Sequence, residues 1–244
     1  MPCGVDALDA MLGGGIDRGT STLVMGPAGC GKSALSTQYA VGAAERGEPA
    51  AMFIFEESIS SLYNRSASLG MPLREHAEAG RIKVRQVDPA QLQPGEFASL
   101  VRHAVEVDEA RVIVIDSLNG YLNAVPEERF LLLHLHELLS YLGENGVATV
   151  LVFAQHGLVG TMHSTVDVSY LADSVILLRY FEARGKIRKA VSIVKKRGGL
   201  HDTSIRDFTM SSAGLQVGEP LADLRGVLTG VPTFENIVKE IREA

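Results

Sequence analysis

The segment Gly26-Pro-Ala-Gly-Cys-Gly-Lys-Ser33 decides the fold of this 244-residue chain. It fits the pattern G-x-x-x-x-G-K-[ST] at every fixed position, and it lies between a predicted strand at residues 21–25 and a predicted helix, Lys32–Glu45. Such a loop turns successive backbone N–H groups inward, and the helix N-terminus adds the positive end of its dipole. The motif in this context predicts a binding site for the phosphates of a nucleoside triphosphate.

The residues of this loop have distinct expected roles. Lys32 is expected to reach the β- and γ-phosphates and to contribute to catalysis, and the Ser33 hydroxyl is expected to bind Mg²⁺. The nucleotide-binding residues are predicted to be Gly26, Pro27, Ala28, Gly29, Cys30, Gly31, Lys32, Ser33 and Ala34. An ordinary glycine-rich turn is the alternative, and it is disfavoured because all the fixed positions are filled.

Two further acidic sites follow apolar strands. Asp116 comes after the apolar run 112–115, where the carboxyl ends of parallel strands bind ligands, so it is predicted to be the second metal residue. Glu56 and Glu57 end another apolar run, and one of them is predicted to be the general base for the attacking water. The alternatives are that Asp116 caps the following helix and that the glutamates favour a helix N-terminus.

Strands and helices alternate through most of the chain, and the strands are mostly uniformly apolar. This pattern predicts an α/β fold of the RecA-like P-loop NTPase type, with a mostly parallel central sheet flanked by helices. After residue 158 the predicted strands at 174–178, 187–194 and 204–209 have short connections, which indicates antiparallel strands that extend the sheet. Apolar residues at helical spacing in 233–242 predict a short amphipathic helix.

Composition limits the classes of function. The net charge of −6 makes nucleic acid an unlikely partner, and no apolar run approaches the 18 or so residues that span a bilayer. We therefore expect a cytoplasmic protein without a membrane partner. The charge is uneven, however, because the segment from Arg179 to Arg197 holds eight Lys or Arg residues and a single acid, Glu182.

Short segments along nearly the whole chain resemble the KaiC-type ATPase domains of the RecA superfamily, a family of circadian clock ATPases and autokinases. Their order and number make the resemblance specific. The matching segments are residues 4–9, 12–16, 26–33, 55–58, 114–118, 171–179, 194–198, 201–202, 205–208 and 228–232. The resemblance implies a RecA/KaiC-like ATPase domain at residues 1–220 and a C-terminal tail at residues 221–244 that carries the amphipathic helix.

The resemblance also implies an assembly and a second set of site residues. Domains of this family form homo-hexameric rings with ATP and Mg²⁺ at the subunit interfaces, and Glu56 and Glu57 match their catalytic glutamates. Lys195 and Arg197 match catalytic residues that face the neighbour's nucleotide, and His201 matches a nucleotide contact. This role would explain the basic segment, whose alternative is a solvated sheet edge that discourages edge pairing.

The resemblance is closer to the second, autokinase half of the tandem clock proteins. In that half a Ser-Thr pair just before the strand that matches residues 175–178 is phosphorylated, and Ser169-Tyr170 stands there in this chain. Ser169 is therefore a possible phosphosite, while the two-site cycle is not inferred. The chain is either a single-domain relative or one half of a longer protein.

Three other functions remain open on the sequence alone. The first is a DNA-dependent recombinase-like ATPase, which the acidic balance disfavours. The second is a signalling scaffold whose bound ATP is structural and whose unknown partner docks on the helix at 234–241. The third is a serine autokinase that acts on Ser169.

Overall fold

A mixed sheet of nine strands forms the centre of the computed structural model, which describes residues 1–90, 94–123, 128–155, 157, 168–229 and 232–234. The strand order is β3-β2-β4-β5-β1-β6-β7-β8-β9. The strands are β1 Ser21–Gly26, β2 Ala50–Ile54, β3 Ile82–Gln86, β4 Val112–Asp116, β5 Ala148–Ala154, β6 Ser174–Ala183, β7 Lys186–Lys196, β8 Arg206–Ser211 and β9 Gly214–Pro220. The pairs from β3 to β6 are parallel, and the pairs from β6 to β9 are antiparallel.

Helices cover both faces of the sheet. They are α1 Asp6–Met11, α2 Lys32–Glu45, α3 Ile59–Ser68, α4 Leu73–Glu78, α5 Pro94–Glu106, α6 Leu118–Asn123 and α7 Glu128–Glu144. One buried cluster joins the first four helices to one face, and a second joins the last three to the other. Alternate residues of the parallel strands enter the two clusters, as the period of two requires: Val114 faces the first cluster and Ile113 the second.

The predicted fold class is confirmed, including the antiparallel strands at the C-terminal side of the sheet. The structure adds α1, α4, α6 and β9 to the predicted elements. A short hairpin pairs β10, Leu224–Arg225, with β11, Thr233–Phe234, and a 3-10 helix spans Val227–Thr229. The predicted helix therefore does not begin at Thr233, and the remainder of it lies outside the described residues.

Within the part of the chain that the structure describes, no helix is both long enough and apolar enough to cross a bilayer.

Candidate functional site

The loop between β1 and α2 makes two turns that only glycine fits. At Gly26 an added Cβ would lie 2.4 Å from the Leu178 carbonyl oxygen. Gly31 caps α2 with a left-handed backbone, φ 113°, and its Cβ would meet the Met210 sulfur at 2.8 Å. Because helix α2 starts at Lys32, its free N–H groups and the loop amides face the same space, which is the arrangement that binds phosphate.

Lys32 is folded back over this loop. Its side chain is largely buried, with 7% of the residue exposed, and Nζ donates a 2.7 Å hydrogen bond to the Pro27 carbonyl oxygen. Burial lowers the pKa of Lys32, while the nearby Cys30, Asp116 and Glu56 oppose that shift. The ammonium thus lies inside the loop, where an incoming phosphate could take the place of the Pro27 carbonyl.

Asp116 and Ser33 form the oxygen pair that a metal would need. Asp116 ends β4 opposite Ile54 of β2, and the residue is 8% exposed. Burial raises its pKa, and a hydrogen bond with the Ser33 side chain partly offsets that rise. A carboxylate and a hydroxyl in contact are hard oxygen ligands of the kind that Mg²⁺ prefers, so these two residues fit that ion.

The two glutamates follow β2 at the same edge of the sheet but have different surroundings. Glu57 Oε2 accepts a 2.8 Å hydrogen bond from Arg65 Nη2, and Glu57 Oε1 accepts one of 3.1 Å from Ser61 Oγ. Glu56 is exposed, and its charge acts on Lys32. The pair therefore consists of one fixed carboxylate and one that faces the open cleft.

One cleft brings most of the predicted residues together. It lies at the carboxyl ends of β1, β2 and β4, where parallel sheets bind ligands. Its lining residues are Gly29, Gly31, Lys32, Ser33, Ala34, Ile54, Glu56, Glu57, Arg65, Ser68, Leu69, Asp116 and Met210. The phosphate loop, both glutamates and the expected metal residues thus surround a single space.

Lys195 and Arg197 lie elsewhere on the same subunit. Lys195 is opposite Val175 of β6, and Val175 is opposite Leu23 of β1. Leu23 precedes Gly26 by three residues, or about 10 Å of strand, so this level of the sheet is far from the phosphate loop. The Lys195 ammonium donates to the carbonyl oxygen of Ala172 at 2.7 Å, just before β6 begins.

The end of the sheet away from the phosphate loop, where Lys195 lies, also holds Arg197, Ser169 and His201. Arg197 Nη1 is 3.3 Å from Asp173 Oδ1, and Lys195 Nζ donates to the Ser169 carbonyl oxygen at 3.0 Å. His201 precedes Asp202, whose amide donates to the Met11 carbonyl oxygen at 2.8 Å. The structure therefore does not bring these residues to the phosphate loop of their own chain.

Three polar residues near the loop were not predicted from the sequence. Arg65 lines the cleft, and Gln155 follows β5 with its amide 3.0 Å from the Gly26 carbonyl oxygen and its Oε1 buried without a hydrogen bond among the described residues. Tyr180 donates through its hydroxyl to the Ala28 carbonyl oxygen at 3.3 Å. A sequence signal existed for Arg65, because it follows Glu57 and Ser61 at steps of four residues, which is helical spacing.

Comparison with known proteins agrees with this geometry. Residues 1–222 match the family model described as "ATPase: KaiC". The circadian clock protein KaiC3 of Synechocystis sp. is 28% identical over 95% of this chain and 46% of its own length. The circadian clock oscillator proteins KaiC of Picosynechococcus sp. and Synechococcus elongatus are 26% and 27% identical, each over 94% of this chain and 45% and 44% of their own lengths. The chain thus spans about half the length of these relatives.

Proposed function

Since this chain belongs to the KaiC ATPase family, we propose that it hydrolyses Mg-ATP at the subunit interfaces of a homo-hexameric ring that serves signalling or regulation. The observation that carries the proposal is the single cleft that holds the phosphate loop, Lys32, Asp116 and the two glutamates. Phosphoryl transfer requires a phosphate clamp, metal ligands and a group that orients the nucleophile. Each of these has a residue in the cleft.

The chemistry follows from the positions of these side chains. The loop amides and Lys32 would bind the β- and γ-phosphates, and Ser33 with Asp116 would hold Mg²⁺, which would neutralise phosphate charge. A carboxylate of the Glu56–Glu57 pair accepts a proton from the attacking water. The bond from water oxygen to the γ-phosphorus forms as the bond from that phosphorus to the bridging oxygen breaks, which yields ADP and inorganic phosphate.

The position of Lys195 and Arg197 supports the ring. Both residues lie at the end of the sheet away from the phosphate loop, so they cannot reach the nucleotide of their own subunit. In a closed ring a head-to-tail contact repeats around the axis, and in the proposed ring it would bring this end of the sheet to the neighbour's cleft. Lys195 and Arg197 would then pair with the γ-phosphate in trans, as an arginine finger does, and His201 would lie beside them.

Autophosphorylation of Ser169 is a second candidate activity, supported by the hydrogen bond from Lys195 to the Ser169 carbonyl oxygen. A cation that faces the neighbour's γ-phosphate would bring Ser169 close to the same group. The Ser169 oxygen would bond to the γ-phosphorus, ADP would leave, and a carboxylate would take the hydroxyl proton. Incubation with γ-labelled ATP and peptide mapping tests this, and a label that persists in Ser169→Ala would contradict it.

Steady-state phosphate release tests the main proposal. We compare the wild type, Glu56→Gln/Glu57→Gln, and the matched control Glu75→Gln/Glu78→Gln, whose two carboxylates are exposed on α4. The site pair should lose turnover by at least about 100-fold, which is the range for general-base catalysis, and the control pair should retain it. Undiminished turnover in the site variant would contradict the base assignment.

The same preparation separates the rival functions. A recombinase-like ATPase would be stimulated by DNA and would bind it in a salt-sensitive way. A scaffold with structural ATP would form the ring with nucleotide but release no phosphate. Native mass spectrometry with and without Mg-ATP tests the assembly, and the proposal expects a mass six times that of the 26.1 kDa chain. A monomer under both conditions would contradict the roles in trans that are proposed for Lys195 and Arg197.

A further inference from the structure

Arg65 contacts one of the two glutamates through two of its nitrogens. It lies in the last turn of α3, and its Nη2 donates to Glu57 Oε2 at 2.8 Å while its Nε donates to Glu57 Oε1 at 3.3 Å. Ser61 Oγ, one turn earlier, donates to the same Oε1 at 3.1 Å. A forked arginine contact fixes the plane of a carboxylate as well as its position, so Glu57 has a defined orientation.

The contact extends to the metal end of the cleft. Arg65 lowers the pKa of Asp116, although burial, which raises it, is the larger influence there. The remaining nitrogen of Arg65, Nη1, is buried and has no hydrogen-bond partner among the described residues. Arg65 therefore belongs to the same space as the phosphate loop, and its contact with Glu57 is not a remote surface ion pair.

Glu56 lacks a comparable restraint. Its side chain is exposed in the cleft, and none of the residues that the structure describes donates a hydrogen bond to it. A carboxylate that already accepts hydrogen bonds from a guanidinium and a hydroxyl has fewer lone pairs for a water molecule. A carboxylate that faces the open cleft keeps them, so the adjacent glutamates are suited to different tasks.

We infer that Arg65 is a positioning residue that acts through Glu57 and divides the roles of the two glutamates. Glu57, held by Arg65 and Ser61, orients the attacking water, and Glu56 accepts its proton. This inference rests on the proposed ATP hydrolysis. It depends on the arrangement of α3 in this chain, where Ser61 and Arg65 lie one turn apart on the helix and both contact Glu57, which precedes it.

A purely structural role for Arg65 would give different results. A basic side chain in the last turn of a helix also interacts with the helix dipole, and its loss would lower thermal stability without a selective effect on turnover. A direct contact between Nη1 and the transferred phosphate would be a catalytic role independent of Glu57. Measurements on Glu57 and Arg65 variants, alone and combined, distinguish these roles.

The test is a double-mutant cycle on the ATPase rate, with Arg65→Gln, Glu57→Gln and the combined variant. Arg65→Gln and Glu57→Gln should each lower kcat by about 10- to 100-fold, the cost of a misplaced reacting group, with KM for ATP nearly unchanged. If Arg65 acts through Glu57, the combined variant should be no slower than Glu57→Gln alone. Glu56→Gln should be the most impaired single variant, and Arg65→Lys should recover part of the rate.

Controls separate positioning from folding. Arg74→Gln removes an arginine that stacks on Tyr63 outside the cleft, and it should leave kcat unchanged. The inference would be overturned, without the proposed function, if the losses of kcat in the two single variants multiplied in the combined variant. A normal kcat in Arg65→Gln would have the same consequence. An Arg65→Lys variant that folds stably yet is as slow as Arg65→Gln would also count against it. A wild type that releases no phosphate would overturn the proposed function together with this inference.

Discussion

The Lys32 ammonium donates a 2.7 Å hydrogen bond to the Pro27 carbonyl oxygen, five residues earlier in the same loop. The cation is thus held inside the phosphate site by an acceptor of the loop itself. Binding exchanges one carbonyl acceptor for phosphate oxygens that carry full negative charge, and hydrogen bonds between charged groups are the stronger kind. The affinity for ATP should therefore depend on this side chain more than on any other cation near the loop.

Lys32→Met should weaken ATP binding by about 10- to 100-fold, because a hydrogen bond to a charged group contributes about 1.5–3 kcal/mol. Isothermal titration with Mg-ATP measures the effect. The matched control is Lys83→Met, at an exposed position on β3, and its affinity should equal that of the wild type. Equal affinities for the two variants would remove Lys32 from the phosphate site.

Asp116→Asn should raise the stability of the nucleotide-free protein at pH 7. Burial raises the pKa of Asp116 above 3.8, so the folded state binds a proton more readily than the unfolded state. Stability is therefore lost as the pH rises from 3.8 through the folded-state pKa, and the full penalty is present above it. The variant carries no such charge, so its Tm should exceed that of the wild type.

The pH dependence of this difference identifies its cause. The advantage of Asp116→Asn should shrink as the pH is lowered through the folded-state pKa, and it should vanish below 3.8, where the wild-type carboxyl becomes protonated in both states. Thermal unfolding at several pH values measures it, with exposed Asp223→Asn as the control expected to stay within about 0.5 kcal/mol of the wild type. Mg-ATP should stabilise the wild type more than Asp116→Asn. An advantage that grows on acidification would contradict the burial argument.

Two inactive variants should restore activity to each other when mixed. Lys32→Met has a defective phosphate loop but retains Lys195 and Arg197. Lys195→Ala/Arg197→Ala lacks these two cations but retains an intact phosphate loop. In a mixed ring some interfaces combine an intact loop with an intact edge, so phosphate release should reappear. Mixing Lys32→Met with Lys186→Ala, an exposed hairpin variant that should be active by itself, gives the reference rate. Mixed rings without recovered turnover would place Lys195 and Arg197 outside the site.

Gly42→Ala should destabilise the protein even though alanine is normally the better helix residue by about 1 kcal/mol. Gly42 lies in α2, and a Cβ there would come within 2.5 Å of the Cys3 carbonyl oxygen. Overpacking of this kind costs about 1–3 kcal/mol, which lowers Tm by about 2–4 °C per kcal/mol in a chain of this size. Gly95→Ala in α5 meets no atom within 4 Å and should not lower Tm.

Local signals were sufficient to predict the centre of the fold and the cleft. The phosphate loop sits between a strand and a helix, and Asp116 and Glu56 follow buried strands whose carboxyl ends meet at one edge of a parallel sheet. These inferences need only residue order and one general property of parallel sheets. The structure brings the residues together as this reasoning expects, while their chemical roles stay predictions.

The pairing register of the strands could not be predicted from the sequence. Whether Lys195 lies near the loop or at the far edge depends on the pairing of β7 with β6 and of β6 with β1, and spacing along the chain does not encode it. Short elements such as α1 and α4 were missed because six residues give too little periodicity to separate helix from loop. The link between Arg65 and Glu57 depends on a side-chain orientation that only coordinates reveal.

Strand β6 connects the phosphate loop with the group of cations around Lys195. Near its carboxyl end Tyr180 contacts the phosphate loop through Ala28, and just before its amino end Ala172 accepts the ammonium of Lys195. The two contacts thus lie at opposite ends of one strand inside the sheet. In the proposed ring, this strand would therefore connect the loop that binds a subunit's own ATP with the cations that would face the ATP of the next subunit.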